Sequence, residues 1–320
     1  MVASLGYTMM CEQSGPGALV DSVVRAEQVG FDFAVCSDHY YPWLPEQGHS
    51  PYAWAVLGAA AYATRSIELM SFVTCPIRRY HPAVVAQKAA TIGVMSQGRF
   101  TLGVGAGENL NEHVVGAWPQ VSQRHAMLAE ALEIIEPLLA GKTVHHSGEY
   151  FEVPEARLWD LPDEGVPIGV AVSGPESCEL AGEYADAMIA TEPKAELVEA
   201  FNAAGGAGRP RYGQLAVSYG PDEAECRRRA REQFRFFGLG WPVNSELPYP
   251  RSFTKATSTV TEDDVAAQVP CGPDVARHVA AVRAFVEAGF THVALVQVGD
   301  AAQGQFLDFA EKELLPALRS

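Results

Sequence analysis

Basic residues are scarce in this 320-residue chain: Lys and Arg number 23 against 39 Asp and Glu, a formal charge of -16. Nucleic-acid phosphates are gripped by a concentrated excess of Lys and Arg, so that partner class is excluded and any anionic ligand must be met locally. Long apolar runs are missing too. No stretch would span a bilayer, and Met1-Val2-Ala3-Ser4 leads into Leu5-Gly6-Tyr7 without a signal-peptide pattern, which predicts no membrane partner and a cytoplasmic protein. Cys11, Cys36, Cys75, Cys178, Cys226 and Cys271 are scattered, with no C-x-x-C pair and no His at ligand spacing. They are expected as reduced, mostly buried thiols, and no metal site is expected.

What remains is ordinary globular material, 48% hydrophobic and 19% charged. Strand-like apolar runs at 5–10, 31–36, 67–74, 99–105, 166–172, 187–191, 215–219 and 292–298 alternate with helix-period segments. Strict alternation predicts a parallel sheet, and eight strands over this length predict an α/β protein of the (β/α)8 TIM-barrel type, one domain over 1–320. The stretches 142–164 and 238–270 are too long, and too rich in Pro, Gly and aromatics, for ordinary connectors. Insertions of that size are expected as lids or small hairpins.

Active sites in this fold gather at the carboxyl ends of the strands. Ser37-Asp38-His39-Tyr40-Tyr41-Pro42-Trp43 follows the second strand. A neutral imidazole takes up a proton near physiological pH, so His39 is either a general base or a ring that caps the strand. Asp38 orients a neighbour or accepts from a ligand, or else turns on its own backbone. Trp43 walls a ligand or simply packs. After the fourth strand, Gly103-Val104-Gly105-Ala106-Gly107-Glu108-Asn109-Leu110-Asn111 lets a ring or phosphate approach bare backbone with a carboxyl beside it, or serves only a tight strand exit. It lacks the spacing of a dinucleotide fingerprint. Ser173-Gly174-Pro175 opens a helix whose free N–H groups suit an anion, or whose Ser is a plain N-cap. Arg78 and Arg79 offer a second anion contact or a solvated pair.

Taken together, Ser37-Asp38-His39-x-x-Pro42-Trp43, Arg79-Tyr80-x-Pro82-Ala83-Val84-x-Ala86-Gln87, the segment from Gly103 to Glu112, and Ser173-Gly174-Pro175 resemble the luciferase-like flavin and deazaflavin oxidoreductases. The branch most resembled holds the coenzyme F420-dependent glucose-6-phosphate and alcohol dehydrogenases, and the likeness runs nearly the length of the chain. It implies a bacterial luciferase-like barrel, usually a homodimer, that moves hydride from a sugar phosphate or related secondary alcohol to coenzyme F420. His39 then resembles the base that removes the hydroxyl proton, Trp43 the aromatic that holds the reacting carbon, and Glu108 the carboxyl beside the cofactor ring. Glu12 matches a further acidic site position on the substrate side. Asp38, Val73, Thr74, Ala106, Gly107, Asn111, Ser173 and Gly174 match cofactor-contacting positions, with a non-prolyl cis peptide implied next to Val73.

Two departures from the pattern bear on the substrate. Phe72 stands where the sugar phosphate enzymes have a small polar residue. Of the two lysines and one arginine that clamp the phosphate there, Lys194 and Lys255 match the lysines. The arginine position falls on Val275, and Arg277 two residues on faces elsewhere on a helix. Alternative readings are an FMN-dependent monooxygenase of the same superfamily, a reductase that runs F420H2 toward a carbonyl, and a barrel that binds the cofactor without turnover.

Overall fold

A computed structural model describes residues 3–320. Eight parallel strands close into a barrel, with helices and loops on the crossovers. In chain order the strands are β1 (Ser4–Met9), β2 (Phe33–Cys36), β3 (Glu68–Ser71), β4 (Phe100–Val104), β5 (Val144–Ser147), β6 (Glu152–Ala156), β7 (Ile168–Ala171), β8 (Ala187–Ala190), β9 (Arg211–Val217) and β10 (His292–Gln297). The pair β5 and β6 forms an antiparallel hairpin outside the barrel. Each barrel strand is short and almost wholly buried, as expected of strands covered by helices on one face and packed inward on the other.

Crossover helices begin and end where the sequence signals. Pro16 opens the helix Pro16–Val29, and Gly30, at a φ of 97°, closes it by donating to the carbonyls of Ala26 and Glu27. The helix Pro82–Met95 starts the same way, with the His81 ring accepting from Ala83 N–H. Inside the barrel, Phe33, Met70, Phe72, Ile189 and Tyr212 fill the axis, Phe33 and Tyr212 meeting edge to face at 5.4 Å. This packed floor leaves only the carboxyl end of the barrel open for a ligand.

Strands β3 and β4 approach unusually closely. A Cβ on Gly103 would sit 2.0 Å from the Ser71 carbonyl oxygen, so only glycine fits. The Ser71 hydroxyl donates to the Gly103 carbonyl at 2.9 Å and accepts from its N–H at 3.0 Å, stitching the strands where regular pairing has stopped. Just beyond, the Phe72-Val73 peptide is cis and Thr74 bridges to Val104.

The two insertions take different forms. The first carries the hairpin of β5 and β6, held by Glu130, whose carboxylate accepts from the backbone N–H groups of Glu149, Tyr150 and Phe151. Burial raises that carboxyl, but the three amides and His146 outweigh it and hold it below the usual range. The second insertion is helical, with short helices Trp241–Asn244, Pro250–Ala256 and Glu262–Ala266. Its apolar face forms a separate small core with Trp43, Leu44, Phe234, Phe236 and Phe253. Among the described residues no helix is long and apolar enough to cross a membrane.

Candidate active site

A cavity of about 1120 Å³ opens at the carboxyl ends of the barrel strands. Glu12, Ser37, His39, Trp43, Val73, Ala106, Gly107, Glu108, Ser173, Gly174 and Lys194 all line it. The loops after five strands therefore meet there, from β1, β2, β4, β7 and β8, together with the cis turn after β3.

His39 is the hub. Its Nδ1 lies 3.2 Å from the Tyr41 carbonyl oxygen and 3.3 Å from Glu12 Oε1, two acceptors, so Nδ1 carries a proton. Its Nε2 lies 3.3 Å from Glu108 Oε1. One proton on that second contact serves both partners, either on imidazole nitrogen or on carboxyl oxygen. Glu108 is held in place by Asn111, whose side-chain amide donates to Glu108 Oε1. The ring packs against Trp43 at 5.0 Å, and Trp43 in turn stacks on Phe236 at 4.9 Å and 10°. The indole is 8% exposed, so it closes one wall with apolar surface.

Three residues expected at the cofactor do not line the cavity. Asp38 and Asn111 are buried behind its wall, and so is Thr74. The Asp38 carboxylate accepts from Thr74 Oγ1 at 2.8 Å, from the Tyr80 hydroxyl at 3.2 Å and from the Arg79 guanidinium at 3.3 Å. Burial, reinforced by the Asp38 charge, pushes the Tyr80 hydroxyl up, which keeps it a donor. Asn111 Oδ1 accepts from the N–H groups of Tyr40 and Tyr41 at 2.7 and 3.1 Å, tying the His39 loop to the Glu108 helix. Arg79, read from sequence as a possible anion contact, is committed instead to Glu112 and Asp38. These side chains point away from the cavity because direction at a strand end follows register, which composition does not reveal.

The phosphate clamp is not assembled either. Lys194 reaches the cavity but is paired with Glu192, and it is 55% exposed. Lys255 sits on the exposed side of Pro250–Ala256, away from the cavity lining. Arg277 bonds Glu223 and the Cys271 carbonyl at the surface. Arg124, buried at the mouth, is taken by Glu246 at 2.9 Å and the Pro119 carbonyl at 2.8 Å. Around the cavity the acids Glu12, Glu108, Glu176, Glu192 and Glu246 outnumber the cations Arg124 and Lys194.

Sequence reasoning missed Ser37, Phe236 and Glu112 as parts of this assembly. Ser37 and Glu112 lie inside the quoted motifs and were legible as polar residues without a partner. Phe236 was not, since nothing local marks it as the stacking face for a ring from another loop.

Comparison with known proteins shows what the whole chain is similar to. The chain is 37% identical to the F420-dependent glucose-6-phosphate dehydrogenase of Beutenbergia cavernae, over 99% of its own length and 97% of that protein. The enzyme of the same description from Microbacterium testaceum is 36% identical over 98% of the chain and 97% of its own. Among solved structures, an F420-dependent secondary alcohol dehydrogenase in complex with an F420-acetone adduct superposes with a TM-score of 0.91, at 30% identity and 100% coverage of both chains. The coenzyme F420-dependent tetrahydromethanopterin reductase of Methanopyrus kandleri shares the fold, with a TM-score of 0.78, 21% identity and coverage of 99% of this chain and 100% of that one. The sequence model of luciferase-like monooxygenases matches residues 5–292, from within β1 to the first residue of β10. Since that span takes in seven of the eight barrel strands, all but the first residue of β1 among them, and the loops that build the cavity, the chain belongs to the luciferase-like monooxygenase family.

Proposed function

We propose that this chain is a coenzyme F420-dependent dehydrogenase that oxidises the carbinol carbon of a small-molecule alcohol. The observation that carries the reading is His39 held between Glu12 and Glu108 on a cavity wall beside Trp43. The residues fit a deazaflavin. Gly105, Ala106 and Gly107 present nearly bare backbone to a flat ring, and Gly174 faces open space at the start of the helix Pro175–Tyr184, whose N-terminus suits an anionic tail.

When bound, coenzyme F420 supplies the hydride acceptor. His39 Nε2 takes the hydroxyl proton as the carbinol carbon loses hydride and becomes a carbonyl, so the alcohol gives up two electrons and both its hydrogens. Glu108 holds the proton that His39 Nε2 does not, and so balances charge at the ring side of the cavity. Trp43 and Phe236 exclude water from the reacting carbon.

Between the two alcohol classes, the lining favours an uncharged secondary alcohol. A sugar phosphate would have to displace Glu192 from Lys194 and would meet no second free cation on the cavity wall among the described residues. The reading also takes from the family a homodimer in the cytoplasm.

The test follows the deazaflavin absorbance over a panel of secondary alcohols, free sugars and sugar phosphates, with wild type and His39→Gln. Turnover with alcohols, lost in the variant while cofactor binding stays, is the expected result. Oxygen-consuming turnover with reduced flavin instead would replace the dehydrogenase by a monooxygenase.

A further inference from the structure

The Ser37 hydroxyl is held between a donor and an acceptor. Its Oγ accepts from the Cys11 N–H at 2.9 Å, and it lies 2.5 Å from Glu12 Oε2. The amide fixes the oxygen as an acceptor on one side, so the hydroxyl proton goes to Glu12. Glu12 is 1% exposed, and its other oxygen, Oε1, faces His39 Nδ1 at 3.3 Å. Both carboxyl oxygens thus accept, Oε2 from the Ser37 hydroxyl and Oε1 from His39 Nδ1.

The alternative arrangement shows what the hydroxyl prevents. A protonated Glu12 would donate through Oε1 to His39 Nδ1 and force the ring proton onto Nε2. The nitrogen facing Glu108 and the cavity would then have no lone pair for a substrate proton. Ser37 weights against that state because its hydrogen bond to Oε2 is charge-assisted only while Glu12 is a carboxylate, and the Tyr41 carbonyl, 3.2 Å from Nδ1, opposes it from the other side. Ser37 is 7% exposed and anchored by an amide of the β1 exit, so the donation is fixed by the fold rather than by a flexible loop.

We infer that Ser37 is a positioning residue for proton transfer: acting through Glu12, it selects the His39 tautomer whose Nε2 carries no proton of its own. The inference rests on His39 as the base of the proposed dehydrogenase, and it assigns to Ser37, on the cavity wall, a role exerted through Glu12.

The test has two arms. In the first, imidazole nitrogen NMR on the cofactor-free protein reads the His39 tautomer directly. Wild type and Ser37→Thr are expected to carry the proton on Nδ1, whereas Ser37→Ala shows a mixture with Nε2 protonated. An unchanged tautomer in Ser37→Ala overturns the inference whether or not any alcohol is turned over.

The second arm is a double-mutant cycle on the F420-loaded enzyme with a secondary alcohol. Ser37→Ala should lower kcat about tenfold or more with KM and cofactor affinity nearly unchanged, and Ser37→Thr should restore most of it. In a Glu12→Gln background the same Ala substitution should add nothing, because its effect passes through the carboxylate. Equal losses in both backgrounds would make Ser37 a structural residue only. Absence of turnover in wild type would instead remove the dehydrogenase reading, leaving the tautomer measurement to judge Ser37.

Discussion

Arg79→Met should expose how the loops that carry His39 and Glu108 are held together. Arg79 is buried between two carboxylates whose side chains are each 1% exposed, Asp38 and Glu112. Its Nε and backbone N–H each donate to Glu112 at 2.9 Å, and its guanidinium donates to the Asp38 carbonyl at 2.9 Å. Burial works against the Arg79 charge, yet Asp38 and Glu112 together raise it above the ordinary guanidinium value. For Glu112, burial raises the carboxyl and Arg79 opposes the rise without cancelling it. Met fills much of the same volume but leaves two desolvated carboxylates without their cation, a loss of about 3–5 kcal/mol. At about 2 °C per kcal/mol for a chain of this length, the melting midpoint should fall by about 6–10 °C.

That loss should depend on pH with a definite sign. A carboxyl whose folded value lies above its unfolded one binds protons on folding, so its stabilisation is complete below the ordinary carboxylate range and disappears as pH rises through the folded value. Removing Arg79 lifts Glu112 further, which widens that window upward. Urea denaturation of wild type and variant at about pH 5 and about pH 8 should therefore show the larger deficit at the higher pH. A deficit equal at both, or a midpoint within about 1 kcal/mol of wild type, would refute the account of this network as a buried, charge-compensated clasp.

Two other substitutions test the frame around the site. Gly103→Ala places a methyl 2.0 Å from the Ser71 carbonyl oxygen and 3.1 Å from Ile189 Cδ1, so β4 cannot close against β3. A loss above about 3 kcal/mol in thermal or urea denaturation is expected, and an unchanged midpoint would mean that the close approach is not real. Asn111→Leu strips the Tyr40 and Tyr41 N–H groups of their acceptor and frees Glu108. It should cost about 1–3 kcal/mol and slow turnover, and full activity with full stability would remove Asn111 as the tie between the two loops.

The barrel was legible because its strands are buried on both sides and so read as apolar runs against helix-period neighbours. The expectation for the seventh strand started late, at 215, because Arg211, Tyr212, Gly213 and Gln214 do not look apolar, although all four pair with β10 or β8. Site position was legible as well, since loops after parallel strands must share one end. What could not be read was direction. Asp38 and His39 are neighbours in sequence, yet His39 faces the cavity and Asp38 the Arg79 clasp. Lys255 and Lys194 differ in the same way, and only the path of the second insertion decides which of them reaches the cavity.

The wall opposite the barrel is borrowed. Trp43 stacks on Phe236 and meets Phe253 edge-on at 5.3 Å, both from segments that follow β9, while His39 and Glu108 ride on loops after β2 and β4. The loops that carry His39 and Glu108 and the aromatic face that backs Trp43 thus come from separate stretches of chain. Changes in the helical insertion can reshape the wall behind Trp43 while leaving His39 and Glu108 in register. Substitution of Phe236 or Phe253 therefore alters the shape of that wall without touching the loops that hold His39 and Glu108.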